Sequence, residues 1–283
     1  MKIRRFALPL VGAVILVPAL WGFVVEPRSL QNENYEMTVP RWPAACDGVR
    51  VAVLADLHVG SPFNGPAKLR RIRELTQRAQ PDLILLAGDY VIHGVAGGRF
   101  IAPEMIASEL RSLTAPFGVW AVLGNHDWWL DAPRVERAFE SVGIPVLEDS
   151  AVSVGRGACR FWVAGVSDFR EGRHDVAQAL ARVPDSEVVI AVTHNPDVFP
   201  MVPARVSLTI AGHTHGGQVY VPLVGRPVVP SNYGQRYAVG HIVEQNRHLF
   251  VSAGLGTSII PVRFLVPPEI SILTLRSTPV SHH

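Results

Sequence analysis

"SLTIAGHTHGG", residues Ser207 to Gly217, passes from an uncharged apolar run directly into two histidines set among glycines. The run is short enough for a buried strand and too short for an ordinary helix, and its polar residues begin where the strand should end. The same arrangement recurs upstream. "VRVAVLAD" (Val49 to Asp56) leads to His58, "DLILLAGD" (Asp82 to Asp89) ends on a carboxylate, "VWAVLGN" (Val119 to Asn125) runs into His126 and Asp127, and "VVIAVTH" (Val188 to His194) ends on a histidine. Further strands are expected at Cys159 to Val166, Leu249 to Gly254 and Ile270 to Leu275. Helix-period segments fit Lys68 to Gln80, Ala102 to Leu113 and Pro133 to Val142, the last with Asp131 as its N-cap. Short apolar strands alternating with helices indicate an α/β fold, where ligands bind at the carboxyl ends of strands.

Five strand ends thus bring Asp56, His58, Asp89, Asn125, His126, Asp127, His194, His213 and His215 to one rim. Carboxylate, amide and imidazole donors without thiolate suit hard or borderline divalent ions such as Mn, Fe, Zn, Co or Ni. Alternate residues of extended backbone share a face, so Asp56 with His58, and His213 with His215, are each expected to point together from the strands. Any single motif also reads as a solvated loop; the ordered set is what argues for a metal site.

D-x-H, G-D, G-N-H-D, H and G-H-x-H, in that order, resemble the calcineurin-like metallophosphoesterases, over about Val49 to Leu275. The resemblance implies a four-layer α-β-β-α sandwich with two central sheets and a binuclear metal centre. Asp56, His58, Asp89 and His215 would hold one ion, and Asp89, Asn125, His194 and His213 the other. It also implies phosphoester hydrolysis by a metal-bridging hydroxide, with His126 protonating the leaving oxygen and Asp127 orienting His126. For His126 a plain loop histidine or an additional ligand is the competing reading. "GHTHGGQVYVP", "SNYGQRY" and "GLGTSIIPVRFLVPPEI" look most like a membrane-associated bacterial branch. That branch includes phosphodiesterases and UDP-2,3-diacylglucosamine pyrophosphatases of lipid A biosynthesis, so the expected substrate is a phosphodiester or pyrophosphate, in one version lipid-linked. A phosphomonoesterase or protein phosphatase, and a non-catalytic binding module on the same fold, are the alternatives.

Arg236, Tyr237 and Arg263 are candidates for contacting phosphate or sugar, against a structural ion-pairing role for each. Trp128 and Trp129 are expected in the core or the cleft wall, and the loops from His93 and from Pro222 to Gly240 are expected to shape the cleft.

The 283 residues are 48% hydrophobic and 18% charged with a formal net charge of +2, which points away from disorder and from nucleic acid as a partner. Cys46 and Cys159 are the only cysteines, enough for one bridge in an oxidising compartment. At the N-terminus Lys2, Arg4 and Arg5 precede an uncharged run from Phe6 to Val25, about the 20 apolar residues that cross a bilayer. A membrane anchor, a cleaved signal segment and a buried helix compete; the anchor is favoured because the apolar run continues past the small-residue cleavage position at Ala19. The basic flank would then stay inside and put the catalytic domain on the extracytoplasmic side of the inner membrane. The expected organisation is a membrane segment (1–26), a linker (27–47) and a phosphoesterase domain (48–278).

Overall fold

The computed structural model describes residues 16–278. Its centre is made by the most apolar stretches of the chain. Val49–Leu54 (β2), Leu83–Ala87 (β3) and Val119–Val122 (β4) pair in parallel, and such strands, covered on both faces, read as near-continuous hydrophobic runs. Glu269–Arg276 (β11) joins β2 antiparallel, and Gln31–Thr38 (β1) lies parallel to β11 at the sheet edge, giving the order β1-β11-β2-β3-β4. A second sheet has the order β5-β6-β7-β8-β10-β9, built from Ser150–Arg156, Cys159–Val166, Val189–Thr193, Leu208–Ala211, Arg247–Val251 and Gly240–Glu244 respectively. In it β6, β7, β8 and β10 are parallel, and the two edge strands are antiparallel.

The sheets pack face to face on Val51, Val53, Leu85, Phe161, Val163, Ile190, Ile210 and Phe250. Outside the first sheet lie the helices Pro66–Arg78 (α1), Pro103–Leu110 (α2) and Asn125–Glu140 (α3), through Leu69, Ile72, Ile106, Val135 and Phe139. The short helix Val176–Leu180 (α4) and the 3-10 turn Pro196–Met201 cover the second sheet. Cys46 and Cys159 form a disulfide inside the inter-sheet core, with their Cα atoms 4.8 Å apart.

Three local readings change. Residues 27–47, expected as a linker, contribute the eight-residue strand β1, whose mostly polar, half-exposed sequence QNENYEMT hid its edge position. Asn125, read as the last residue of a strand, instead begins helix α3 behind the cap Gly124. Asp131 does act as an N-cap, but at a break inside α3: its backbone leaves helical geometry and its side chain accepts from Arg134 N at 3.1 Å. Residues 1–15 of the N-terminal apolar segment lie outside the described residues. Leu16–Leu20 are helical, Trp21–Val25 continue as a π-turn, and among the described residues no helix is long and apolar enough to cross a membrane.

Candidate metal centre

The carboxyl ends of β2, β3, β4, β7 and β8 open onto one rim, and all seven expected ligand residues meet there. Asp56, His58, Asp89, Asn125, His194, His213 and His215 are buried. Asp56, His58 and His215 form one tight group, Asp89, His194 and His213 another, and His58, Asp89 and His126 a third that overlaps both. His215 Nε2 is 3.1 Å from His58 Nε2 and 3.4 Å from Asp56 Oδ1, while His194 Nε2 is 3.1 Å from His213 Nδ1. Between the groups, Asp89 Oδ2 lies 3.3 Å from both His58 Nε2 and His194 Nε2.

Strand alternation is not what aims these side chains. Asp56, His58, Asp89, His213 and His215 all have positive φ, between 37° and 69°. They stand in left-handed turns just past the strand ends, conformations that cost of order 1–3 kcal/mol each and persist only where the surroundings enforce them. Two glycines make room for the enforced packing. A Cβ on Gly212 would fall 2.7 Å from Asp56 Oδ2, and one on Gly124 would collide with the Asp89 carboxylate. Backbone hydrogen bonds hold the turns in place: Asp56 N donates to Gly88 O, His58 N to Asp89 O and His213 N to the Asp56 carboxylate.

The protonation pattern tests whether cations fit. His58 Nδ1 faces Val91 O at 3.1 Å and His194 Nδ1 faces Ala87 O at 2.8 Å. A carbonyl only accepts, so each Nδ1 carries a proton, and on a neutral His58 that leaves the Nε2 lone pair facing Asp89 Oδ2. A lone pair facing a carboxylate repels it unless positive charge sits between them. Burial holds the His58 and His213 imidazoles neutral, down at about 3. Burial also disfavours a charged His194, but Asp89, Asp56 and Asp168 outweigh it and lift that imidazole to about 10. Asn125 Oδ1 is buried without a protein partner at the same cleft. The donor set therefore fits two divalent ions that share Asp89.

His126 sits above this floor, 3.9 Å from Asp89 Oδ2 through Nε2, with its buried Nδ1 free of protein partners. Its ring packs on Trp129, centroids 4.8 Å apart, and edge-on against His58. Asp127 does not touch that ring, contrary to the role expected for it. Its carboxylate accepts from Gly124 N, Asp89 N, Tyr90 N and Val91 N, tying the Asp89 turn to the start of α3.

The remaining candidates separate. Arg236 and Tyr237 both engage Glu244, away from the cleft. Arg263 is completely buried; it donates to Ala253 O, Val266 O and Gly256 O and lies 3.5 Å from His215 Nδ1, so it supports the site from below. Trp128 packs against the core and Trp129 lines the cleft. The cleft, about 520 Å³, also takes in Arg170, which sequence reasoning missed, and an apolar wall of Val219, Val228, Ile259, Ile260 and Val262. Arg170 follows β6 in "GVSDFR", so the strand-end rule applied to that strand would have found it. Buried Asp168 accepts from Arg170 N and Glu171 N through Oδ1 and shapes the turn.

With that geometry in hand, comparison with known proteins is informative. A profile of the calcineurin-like phosphoesterases matches residues 49–217. Phosphodiesterase YaeI of Escherichia coli (strain K12) is 32% identical over 279 residues, covering 96% of this chain and 98% of its own. The metallophosphoesterase YkuE of Bacillus subtilis (strain 168) is 29% identical over 258 residues, covering 90% of this chain and 88% of its own. Among solved structures, a putative 5'-nucleotidase from Staphylococcus aureus aligns with a TM-score of 0.47 at 12% identity; the match covers 84% of this chain and 56% of that one.

Proposed function

The chain belongs to the calcineurin-like phosphoesterase family, and on that premise we propose that its cleft hydrolyses a phosphodiester bond in a substrate carrying an apolar group. As a metallophosphoesterase it is a phosphoester hydrolase that works with a binuclear divalent metal centre. The observation that carries the reading is the position of Asp89 Oδ2, 3.3 Å from the Nε2 atoms of two imidazoles, His58 and His194, that belong to separate ligand groups. Asp56, His58, Asp89 and His215 would hold one ion, and Asp89, Asn125, His194 and His213 the other. When bound, two such ions supply an acidified water and neutralise charge on the phosphate oxygens.

The protein's own groups do the rest. His126, which lines the cleft and whose buried Nδ1 has no partner among the described residues, donates a proton to the departing oxygen, and Trp129 holds its ring in place. Arg170 binds a non-bridging phosphate oxygen. Among the described residues it is the one lysine or arginine lining the cleft, which suits the single negative charge of a diester better than the dianion of a monoester. The relative named phosphodiesterase YaeI supports the same choice. The apolar wall supports an apolar substituent. Turnover of bis-p-nitrophenyl phosphate against p-nitrophenyl phosphate tests the reaction, and His126→Ala tests the acid. The variant should lose on the order of 10²–10⁴-fold in turnover while keeping its metal content; loss of both metals would remove His126 from this role.

We further propose that the domain lies outside the cytoplasm, held by the N-terminal apolar segment as a membrane anchor. The basic flank before that segment and the Cys46–Cys159 disulfide, a bond of oxidising compartments, support it. Reporter fusions at the C-terminus that are active only in the cytoplasm would contradict it.

A further inference from the structure

The mouth of the cleft is built from three apolar segments joined edge to edge. Residues 21–26, the end of the N-terminal apolar run, are fastened to residues 262–266. Glu26 is buried, and its carboxylate accepts from Trp21 Nε1, Leu265 N and Val266 N. Arg263 N donates to Gly22 O at 2.9 Å, and Gly22 packs beside Val262, where an added Cβ would make van der Waals contact. The fastened segment continues back into Val262, Ile260 and Ile259, which line the cleft. On its other side, Tyr220 N donates to Phe264 O and Phe264 N to Gln218 O, joining it to the loop that carries Val219 and Val228.

This joined surface leaves large aliphatic side chains in the open. Leu223 is fully exposed, and Leu16, Val224, Val228 and Ile259 are each more than 60% exposed. Large aliphatic side chains left this exposed around one cleft mouth point to an interaction face. What would cover it follows from its connection. Phe6 to Leu20, ahead of the fastened residues, is an uncharged apolar run behind a basic flank. With Gly22 and Glu26 held against residues 263–266, that run meets the domain directly beside this surface. Two arginines frame the face on aromatic rings, Arg28 4.0 Å over Phe63 and Arg226 5.3 Å over Tyr220. Cations over aromatic rings are suited to the headgroup level of a bilayer.

We infer that the mouth of the cleft seats directly on a lipid bilayer, with Leu223, Val224 and Ile259 at the acyl boundary, so that an apolar substrate group enters from the membrane. The inference rests on the anchor reading above, and the test separates the two. The full chain, as L223C, I259C or the opposite-face control R182C, is labelled with an environment-sensitive fluorophore under non-reducing conditions. It is then reconstituted into phosphatidylcholine–phosphatidylglycerol vesicles with and without brominated acyl chains. The probes at 223 and 259 should shift to the blue and lose intensity with brominated lipid, and the probe at 182 should do neither. Co-sedimentation with vesicles while all three probes stay in water keeps the anchor and overturns the seating. Failure to co-sediment overturns both. Shielding of the 223 and 259 probes in lipid-free detergent solution, with the mass of two chains, assigns the face to a second copy and overturns the seating as well.

Discussion

His194 turns its Nδ1 proton to Ala87 O and its Nε2 to Asp89 Oδ2, 3.3 Å away. Nearby carboxylates lift this imidazole to about 10, so a proton fills the space between Nε2 and Asp89 that a divalent ion would take over. His58 repeats the geometry from the opposite side of the same oxygen. On the proposed reading Asp89 would be the shared element and the other ligands would each serve one ion.

Arg170 is expected to act through substrate binding. Replacing it with alanine removes a charged hydrogen bond, about 1.5–3 kcal/mol, and should lower kcat/KM for a phosphodiester roughly 10- to 100-fold, mostly through KM. Steady-state kinetics on bis-p-nitrophenyl phosphate checks this; an unchanged KM would mean that Arg170 does not reach the phosphate.

Arg263 should behave as a structural residue. Its guanidinium satisfies the carbonyls of Ala253, Gly256 and Val266, and Arg263→Ala orphans all three. Each orphaned buried acceptor costs about 1–3 kcal/mol, so urea unfolding should show a loss of at least about 3 kcal/mol. A variant with wild-type stability and a raised KM would return Arg263 to the substrate-binding role.

The disulfide connects the turn before β2 to the first residue of β6, one sheet to the other, across a sequence separation of 113. Cys46→Ala with Cys159→Ala should lower unfolding stability by about 2–4 kcal/mol. Reductant should shift the urea midpoint of the wild-type protein and leave that of the double variant in place.

Glu148 gives a pH dependence remote from the metal ligands. Burial pushes its carboxyl up to about 8, while Oε1 accepts from Leu123 N. The folded state therefore holds a proton that the unfolded state releases above about 4.5. The stabilisation this proton provides is complete at low pH and is lost as pH rises towards 8. Glu148→Gln should remove that decline, gaining about 1–2 kcal/mol at pH 8.5 and little at pH 5; the figure is held low because the carboxyl borders a surface cavity. Unfolding curves at the two pH values provide the check.

Much of the centre was legible because burial on both faces forces β2, β3, β7 and β8 to be almost wholly apolar, which makes the polar residues at their ends conspicuous. Edge strands β1, β5 and β9 lack that pressure and carry mixed sequences such as QNENYEMT and GHIVE. The left-handed turns at Asp56, His58, Asp89, His213 and His215 were not legible, since side-chain-bearing residues adopt positive φ only when tertiary packing compels it. Asp127 looked like a partner for its neighbour His126, but adjacent residues on a helix diverge, and its carboxylate turns to the backbone of the Asp89 loop instead.

Elemental analysis of metal per chain in Asp89→Asn beside His213→Ala and the wild type tests most directly whether two ions share Asp89. Two divalent ions in the wild-type protein, one in His213→Ala and none in Asp89→Asn is the predicted result, with phosphodiester turnover lost in step. Two ions retained in Asp89→Asn would contradict it.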